Sequence, residues 1–146
     1  MVKKYGIELD RFRHPVMVEE ALYEASGKTL DSPVKIAEFL NESVRLNRKA
    51  EEYVYMLAFD TKCNLLGMFE VGHGTANKCI LNTREIFMRA LLSGAVNIVI
   101  AHNHPSSDIY PSKEDNKVAE RVKRAGELMG IDLLDFIIVG NGVYSY

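Results

Sequence analysis

Residues 95–115 read AVNIVIAHNHPSSDIYPSKED. The opening seven, 95–101, are almost wholly apolar and follow Gly94, so they predict a short buried strand that runs directly into His102. Pro105 and Pro111 stiffen the loop that follows. Ser112 then opens a long helix whose apolar positions Val118, Val122, Ala125 and Met129 share one face, and Gly130 ends it. A buried strand, a stiff loop and an amphipathic helix in that order are the signature of a sheet covered by helices.

The flanking segments repeat the theme. After Gly130, residues 133–139 predict a further strand, and 143–146 a last one beyond an Asn141-Gly142 turn. Upstream, Asn82 or Thr83 caps a helix over 84–93 that Gly94 closes. Residues 53–59, YVYMLAF, are apolar on both faces and predict a central strand. It turns through 60–64 into a second strand over 65–71, forming an antiparallel hairpin. Gly72, Gly74 and Asn77 break the pattern before the short apolar piece Cys79-Ile80-Leu81. Asp31-Ser32-Pro33 starts a helix carrying Val34, Ile36, Ala37, Leu40 and Val44, with the basic stretch 45–49 at its C-terminal turn. Before it, 15–26 predicts a helix stopped by Gly27. The expected architecture is an α/β (α+β) sandwich, a mixed and largely antiparallel sheet flanked by helices. Residues 1–30 form an N-terminal extension without assigned role, and 31–146 form one domain.

Two of the four histidines, His102 and His104, stand two residues apart at the end of the buried strand. In extended backbone, residues i and i+2 point to one side, so both imidazoles converge on one point. Histidine nitrogen and aspartate oxygen are ordinary zinc ligands, and three protein ligands leave an open position. Asp115, in the first turn of the next helix, is the third candidate; there the helix dipole favours its ionised form. The sequence Ser112-x-x-Asp115 taken alone is a helix cap needing no metal. Cap and ligand roles are compatible.

The spacing H-x-H-x7-S-x2-D, met by His102, His104, Ser112 and Asp115, resembles the JAMM motif of JAB/MPN metalloproteins. The spelling HNHPS with PS and D downstream, preceded by NTREIFMRAL and followed by LLDFIIVG, resembles the RadC family, once labelled as DNA-repair proteins. The likeness covers roughly residues 50–146. It implies an MPN/cytidine-deaminase-like fold, a Zn2+ ion on His102, His104 and Asp115, and a glutamate at the start of the first core strand. Glu52 fits that place. A carboxylate there would accept a proton from the attacking water and pass it to a leaving amine. Glu51 is adjacent and stays open on pattern, since both faces of this strand are apolar, although strand parity aims it to the opposite side; Glu70 and Glu85 are weaker, Glu85 suiting the first turn of its own helix. By the same resemblance Ser112 would hydrogen-bond the oxyanion of a tetrahedral intermediate. Asn103 would point away from the metal and tie the loop down.

Three positions depart from the family pattern. Ser107 stands where glycine is usual, Ala119 replaces a threonine, and Asp135-Phe136 replaces Asp-His. About fifty residues precede Glu52, too few for the helix-hairpin-helix module of long members.

A chain of 146 residues, 47% hydrophobic, suits one domain with a substantial core. A net charge of −2 argues against a protein that coats nucleic acid, and Arg121, Lys123 and Arg124 read as a solvated helix face. Cys63 and Cys79 lack CxxC spacing and predict reduced thiols. No apolar stretch follows the first lysines and none approaches the ~20 residues needed to span a bilayer, so a cytoplasmic protein off the membrane is expected. The leading reading is a zinc metallohydrolase of the JAMM peptidase or isopeptidase type, acting on a peptide or protein substrate. The alternative is a non-enzymatic MPN-type interaction module or DNA-repair-associated accessory protein. A reading of His102-Asn103-His104 as an HNH nuclease fails on spacing, since that motif spreads its residues over a hairpin and helix.

Overall fold

A computed structural model describes residues 1–25, 29–74 and 81–146. Seven strands form one sheet: β1 (Val2–Leu9), β2 (Pro15–Tyr23), β3 (Tyr53–Phe59), β4 (Leu65–His73), β5 (Asn97–Asn103), β6 (Asp132–Gly140) and β7 (Gly142–Ser145). Their spatial order is β2-β1-β4-β3-β5-β6-β7. The β1–β4 and β5–β6 pairs are parallel and the other four antiparallel. Three helices, α1 (Pro33–Val44), α2 (Thr83–Leu92) and α3 (Lys113–Met129), cover it. This is the mixed, largely antiparallel α/β sandwich that the sequence predicts.

Alternation along the strands assigns each helix to a face. Tyr55, Leu57, Val99, Ala101, Ile137 and Val139 pack with Ile36, Phe39 and Leu40 of α1. Their neighbours Val54, Met56, Ile98, Ile100 and Phe136 pack with Ile86 and Phe87 of α2 and with Ala119 and Val122 of α3. β3 lies between β4 and β5, so it is buried on both faces, as its continuous apolar run requires.

Most helix boundaries follow the capping residues. Ser32 accepts from the Lys35 amide and Pro33 takes the first turn of α1. Asn82 caps α2, and Gly130, at φ 73°, ends α3. The buried face of α3 is Ala119, Val122 and Gly126, while Met129 is half exposed. Gly126 is needed because a Cβ there would lie 2.1 Å from the Ile131 carbonyl oxygen. β5 runs to Asn103 rather than stopping at Ala101, which puts His102 inside the sheet.

The N-terminal segment corrects one expectation. Residues 15–23 are the strand β2, not a helix; Ser26 and Gly27 lie outside the described residues. Glu19, Glu20, Ala21 and Leu22 are good helix formers, but that preference is worth only tenths of a kcal/mol each. The chain instead pairs β2 with β1 from Leu9↔Pro15 to Val2↔Tyr23. Asp10 nucleates the reversal, its carboxylate accepting from the Phe12 and His14 amides. Lys3–Glu19 and Lys4–Glu20 pairs then cross the strands. The expected break at Asn77 and the apolar residues Cys79 and Ile80 also lie outside the described residues. Among those described, no helix is long and apolar enough to cross a membrane.

Candidate metal centre

The site lies at the end of β5, on the sheet face covered by α2 and α3. His102 pairs with Val54 of β3 and Ile138 of β6, so its backbone is held from both sides. His104 is held one step further on, donating its amide to the Val139 carbonyl. The loop then docks against β6 and β7: Asn141 donates its amide to the Ser107 carbonyl at 2.8 Å. Gly140 permits that approach, since a Cβ there would stand 2.6 Å from the same oxygen. Ser107 itself sits at φ 69°, in the left-handed region that favours glycine. The family's usual glycine at this place therefore has a backbone reason.

Asp115 arrives through a capping box. Its amide donates to Ser112 Oγ at 3.0 Å, and its Oδ2 accepts from the Ser112 amide at 2.8 Å. The same carboxylate faces both imidazoles, with His104 Nε2 at 3.0 Å from Oδ2 and His102 Nε2 at 3.5 Å from Oδ1. Cap and site roles coincide in one side chain. One ligand atom from each of His102, His104 and Asp115 falls within 4.8 Å of the others, the only such group of three or more among the described residues.

The donor set fits a metal on three counts. His102 is 2% exposed, and neither ring nitrogen has a hydrogen-bond partner among the described residues. A buried polar atom left unpaired is costly, and an ion on Nε2 would satisfy it. Burial pushes the His102 pKa down to about 4, against the pull of Asp115, so the ring is neutral at pH 7. Neutral imidazole is the form that ligates. His104 lies with Nδ1 2.6 Å from the Asp108 carbonyl. A carbonyl only accepts, so Nδ1 carries the proton and Nε2 is left to face the site.

Charge is arranged to match. Burial opposes ionisation of Asp115. The hydrogen bonds from His104 and the Ser112 amide, with the field of His102, outweigh it and bring its pKa to about 2. Hydrogen bonding to Asp115 raises the His104 pKa. In the absence of an ion, these two form a charge-assisted pair where a ligand pair would otherwise stand.

Glu52 is 8% exposed and shares a 340 Å³ cleft with His104, Pro105, Ser106, Asp108, Tyr110, Pro111 and Ser112. Extending the β3–β5 register past Val54↔His102 sets Glu52 opposite His104. Burial raises its carboxyl pKa; His104 pulls it down and Asp115 adds to the rise. The neighbouring acids go elsewhere. Glu51 reaches His73 Nε2 at 2.6 Å, Glu85 pairs with Arg84 and Arg89, and Glu70 lies 3.5 Å from the Tyr55 hydroxyl.

Two features of the surroundings carry no signal in the residue pattern. The acceptor for His104 is a backbone carbonyl, which any residue at position 108 would supply. Phe136, 2% exposed, lies edge-on to the His102 ring with centroids 5.4 Å apart. It makes that side of the imidazole apolar where the family pattern has histidine. Asp135 instead anchors the last strand, accepting from Ser145 Oγ at 2.6 Å and from the Tyr146 amide.

Comparison with known proteins gives the family. The family described as RadC-like JAB domain matches residues 30–146. The chain is 39% identical to a UPF0758 protein of Thermotoga maritima over 124 residues, 84% of this chain and 54% of that protein. It is 46% identical to one from Clostridium tetani over 94 residues, 64% of this chain and 41% of the relative. A Methanosarcina mazei relative is 36% identical over 125 residues, 86% of this chain and 54% of the relative. The chain thus spans about half the length of the curated relatives it matches. With the family matched over most of its length, and the fold and the His-His-Asp group in place, the chain belongs to the RadC-like JAB domain family.

Proposed function

We propose that this protein is a zinc-dependent hydrolase of amide bonds in peptide or isopeptide linkage. The observation that carries the reading is the orphaned, neutral His102 converging with His104 and Asp115 beside a buried glutamate. A divalent ion on these three ligands supplies Lewis acidity, making water nucleophilic near neutral pH and polarising a carbonyl oxygen.

The chain's own groups supply the proton chemistry. Glu52 is the general base: its carboxylate takes the proton of the attacking water and returns it to the departing amine nitrogen. Burial raises its pKa, which makes the carboxylate a stronger base than one in water. Ser112 Oγ accepts from the Asp115 amide, which leaves its own hydroxyl proton free to donate to the developing oxyanion. Pro105, Pro111 and Tyr110 line the same cleft as Glu52 and Ser112, and this reading places the substrate in it.

The test is a panel of fluorogenic peptide and isopeptide amides offered to zinc-loaded protein. Wild type is expected to release product, and Glu52→Gln to lose at least about 100-fold in kcat while keeping its zinc. Zinc-loaded wild type that cleaves no amide in the panel would sink the hydrolase reading.

A further inference from the structure

Between the two histidines stands Asn103, 1% exposed and facing the opposite side of the sheet from them. Its side-chain amide does not contact the site. Oδ1 accepts from the Tyr53 amide at 2.7 Å, while Nδ2 donates to the Glu51 carbonyl at 3.0 Å and the Lys49 carbonyl at 3.4 Å. Those partners bracket Glu52, which precedes β3 and lacks ladder pairing of its own.

We propose that Asn103 is a positioning residue that aims Glu52 at the metal site, by fixing both peptide planes that flank it. Each peptide unit is planar, so the direction of a side chain is set by the two planes meeting at its Cα. The plane between Glu51 and Glu52 is held through the Glu51 carbonyl. The plane between Glu52 and Tyr53 is held twice, by the Tyr53 amide on Asn103 and by the Glu52 carbonyl accepting from the Gly74 amide at 2.9 Å. With both planes held, the Cα–Cβ bond of Glu52 keeps one direction. Because Asn103 sits between His102 and His104 in the chain, base and ligands then move as one body.

The side chain is specified by this task. A buried site with one amide to accept from and two carbonyls to donate to suits a primary amide and nothing smaller. Aspartate would keep the bond from Tyr53 but set a carboxylate against two carbonyl oxygens. Alanine would leave the Tyr53 amide and the Glu51 carbonyl unpaired.

This inference rests on the metal-centre reading, and cobalt(II) serves as the probe that separates the two. The visible spectrum of cobalt-loaded protein is compared for wild type, Glu52→Gln, Asn103→Ala and the double variant, with cobalt affinity and Tyr53 amide exchange measured alongside. Asn103→Ala is expected to keep cobalt within about tenfold of wild-type affinity, since its three ligands are intact. Tyr53 exchange should rise at least about tenfold, the factor carried by one ordinary hydrogen bond. The spectrum should change as in Glu52→Gln, and the double variant should add nothing to the single ones. Asn103→Asp, which keeps one of the bonds, stands in should the alanine variant not fold, with the same spectral expectation. A wild-type spectrum in the Asn103 variants, or no spectral change in Glu52→Gln, overturns the positioning role. Cobalt loss as complete as in His104→Ala also overturns it, by showing that Asn103 supports the ligands instead. If wild type takes up no cobalt, the metal reading itself fails and this proposal with it.

Discussion

At one edge of the sheet, the β1–β2 hairpin takes its shape from partners across the turn. Toward the other edge, β5 is paired with β3 and β6, and the loop and helix start that follow it take their shape from signals lying between His102 and Asp115. The hairpin's ladder joins residues as distant as Val2 and Tyr23, and its Lys3–Glu19 ion pair is solvent-exposed. The β5–α3 segment is closed by short-range bonds, Ser112 with Asp115 and His104 with the Asp108 carbonyl. It is also buried by the sheet beneath it. The candidate metal site falls in the second region, where a loop closed on itself meets strand ends held by β3 and β6.

The contrast predicts that breaking the β5–α3 segment changes ligand binding far more than it changes folding. His102→Ala is expected to lower zinc affinity by at least about 100-fold, read by competition with a chromophoric chelator. Its metal-free stability should fall much less than that of a core truncation, because the imidazole is buried without a hydrogen bond to lose. Unfolding of the metal-free variant, together with lost binding, would show that His102 is a packing residue.

The two histidines also titrate in opposite senses. His102 has a folded pKa of about 4 against an ordinary 6.5, so it opposes acid: its contribution is complete above pH 6.5 and is lost as pH falls toward 4. His104, raised by its bond to Asp115, contributes fully below pH 6.5 and loses that contribution as pH climbs through its folded pKa. The unfolding free energy of metal-free protein, from denaturant curves, should therefore drop between pH 6.5 and 4, by at most about 3.5 kcal/mol. His102→Ala should flatten that limb, and a limb unchanged in the variant would assign the acid sensitivity elsewhere.

The legibility of each region follows from where its information lies. HxH parity, the Ser112-Asp115 cap and the Gly130 stop are all local, so a reading of residues 95–130 meets the structure closely, apart from the half-exposed Met129 and a strand that spans 97–103 rather than 95–101. Glu52 is distant in sequence, and only resemblance and strand parity point to it; the structure adds the shared cleft and the Asn103 clamp. β2 departs from its local signals for a complementary reason. Its residues carry helical propensity locally, whereas the strand is decided by β1 and the Asp10 turn, whose pairing no window on 15–26 contains.

Within the ligand loop, Ser107 tests how far local backbone preference reaches. At φ 69° a serine pays the Cβ penalty of the left-handed region, roughly 1–2 kcal/mol against glycine before the flexibility that glycine adds to the unfolded chain. Ser107→Gly should therefore raise the unfolding free energy by up to about 1 kcal/mol and leave zinc affinity unchanged. A loss of stability would mean that the serine side chain contributes more than its backbone costs.

The smallest effect is expected in the hairpin, where it separates ladder from charge. Lys3 and Glu19 approach to 3.3 Å, but their side chains are 50% and 43% exposed. Water screens such a pair and two long side chains lose freedom to make it, so Glu19→Ala should shift stability by no more than about 0.5 kcal/mol. The backbone pairing from Leu9↔Pro15 to Val2↔Tyr23 remains intact in that variant. Calorimetry that found a cost several times larger would place the hairpin's hold in its charges. The edge of the sheet would then resemble the metal segment, with its shape set by a few side chains rather than by the ladder.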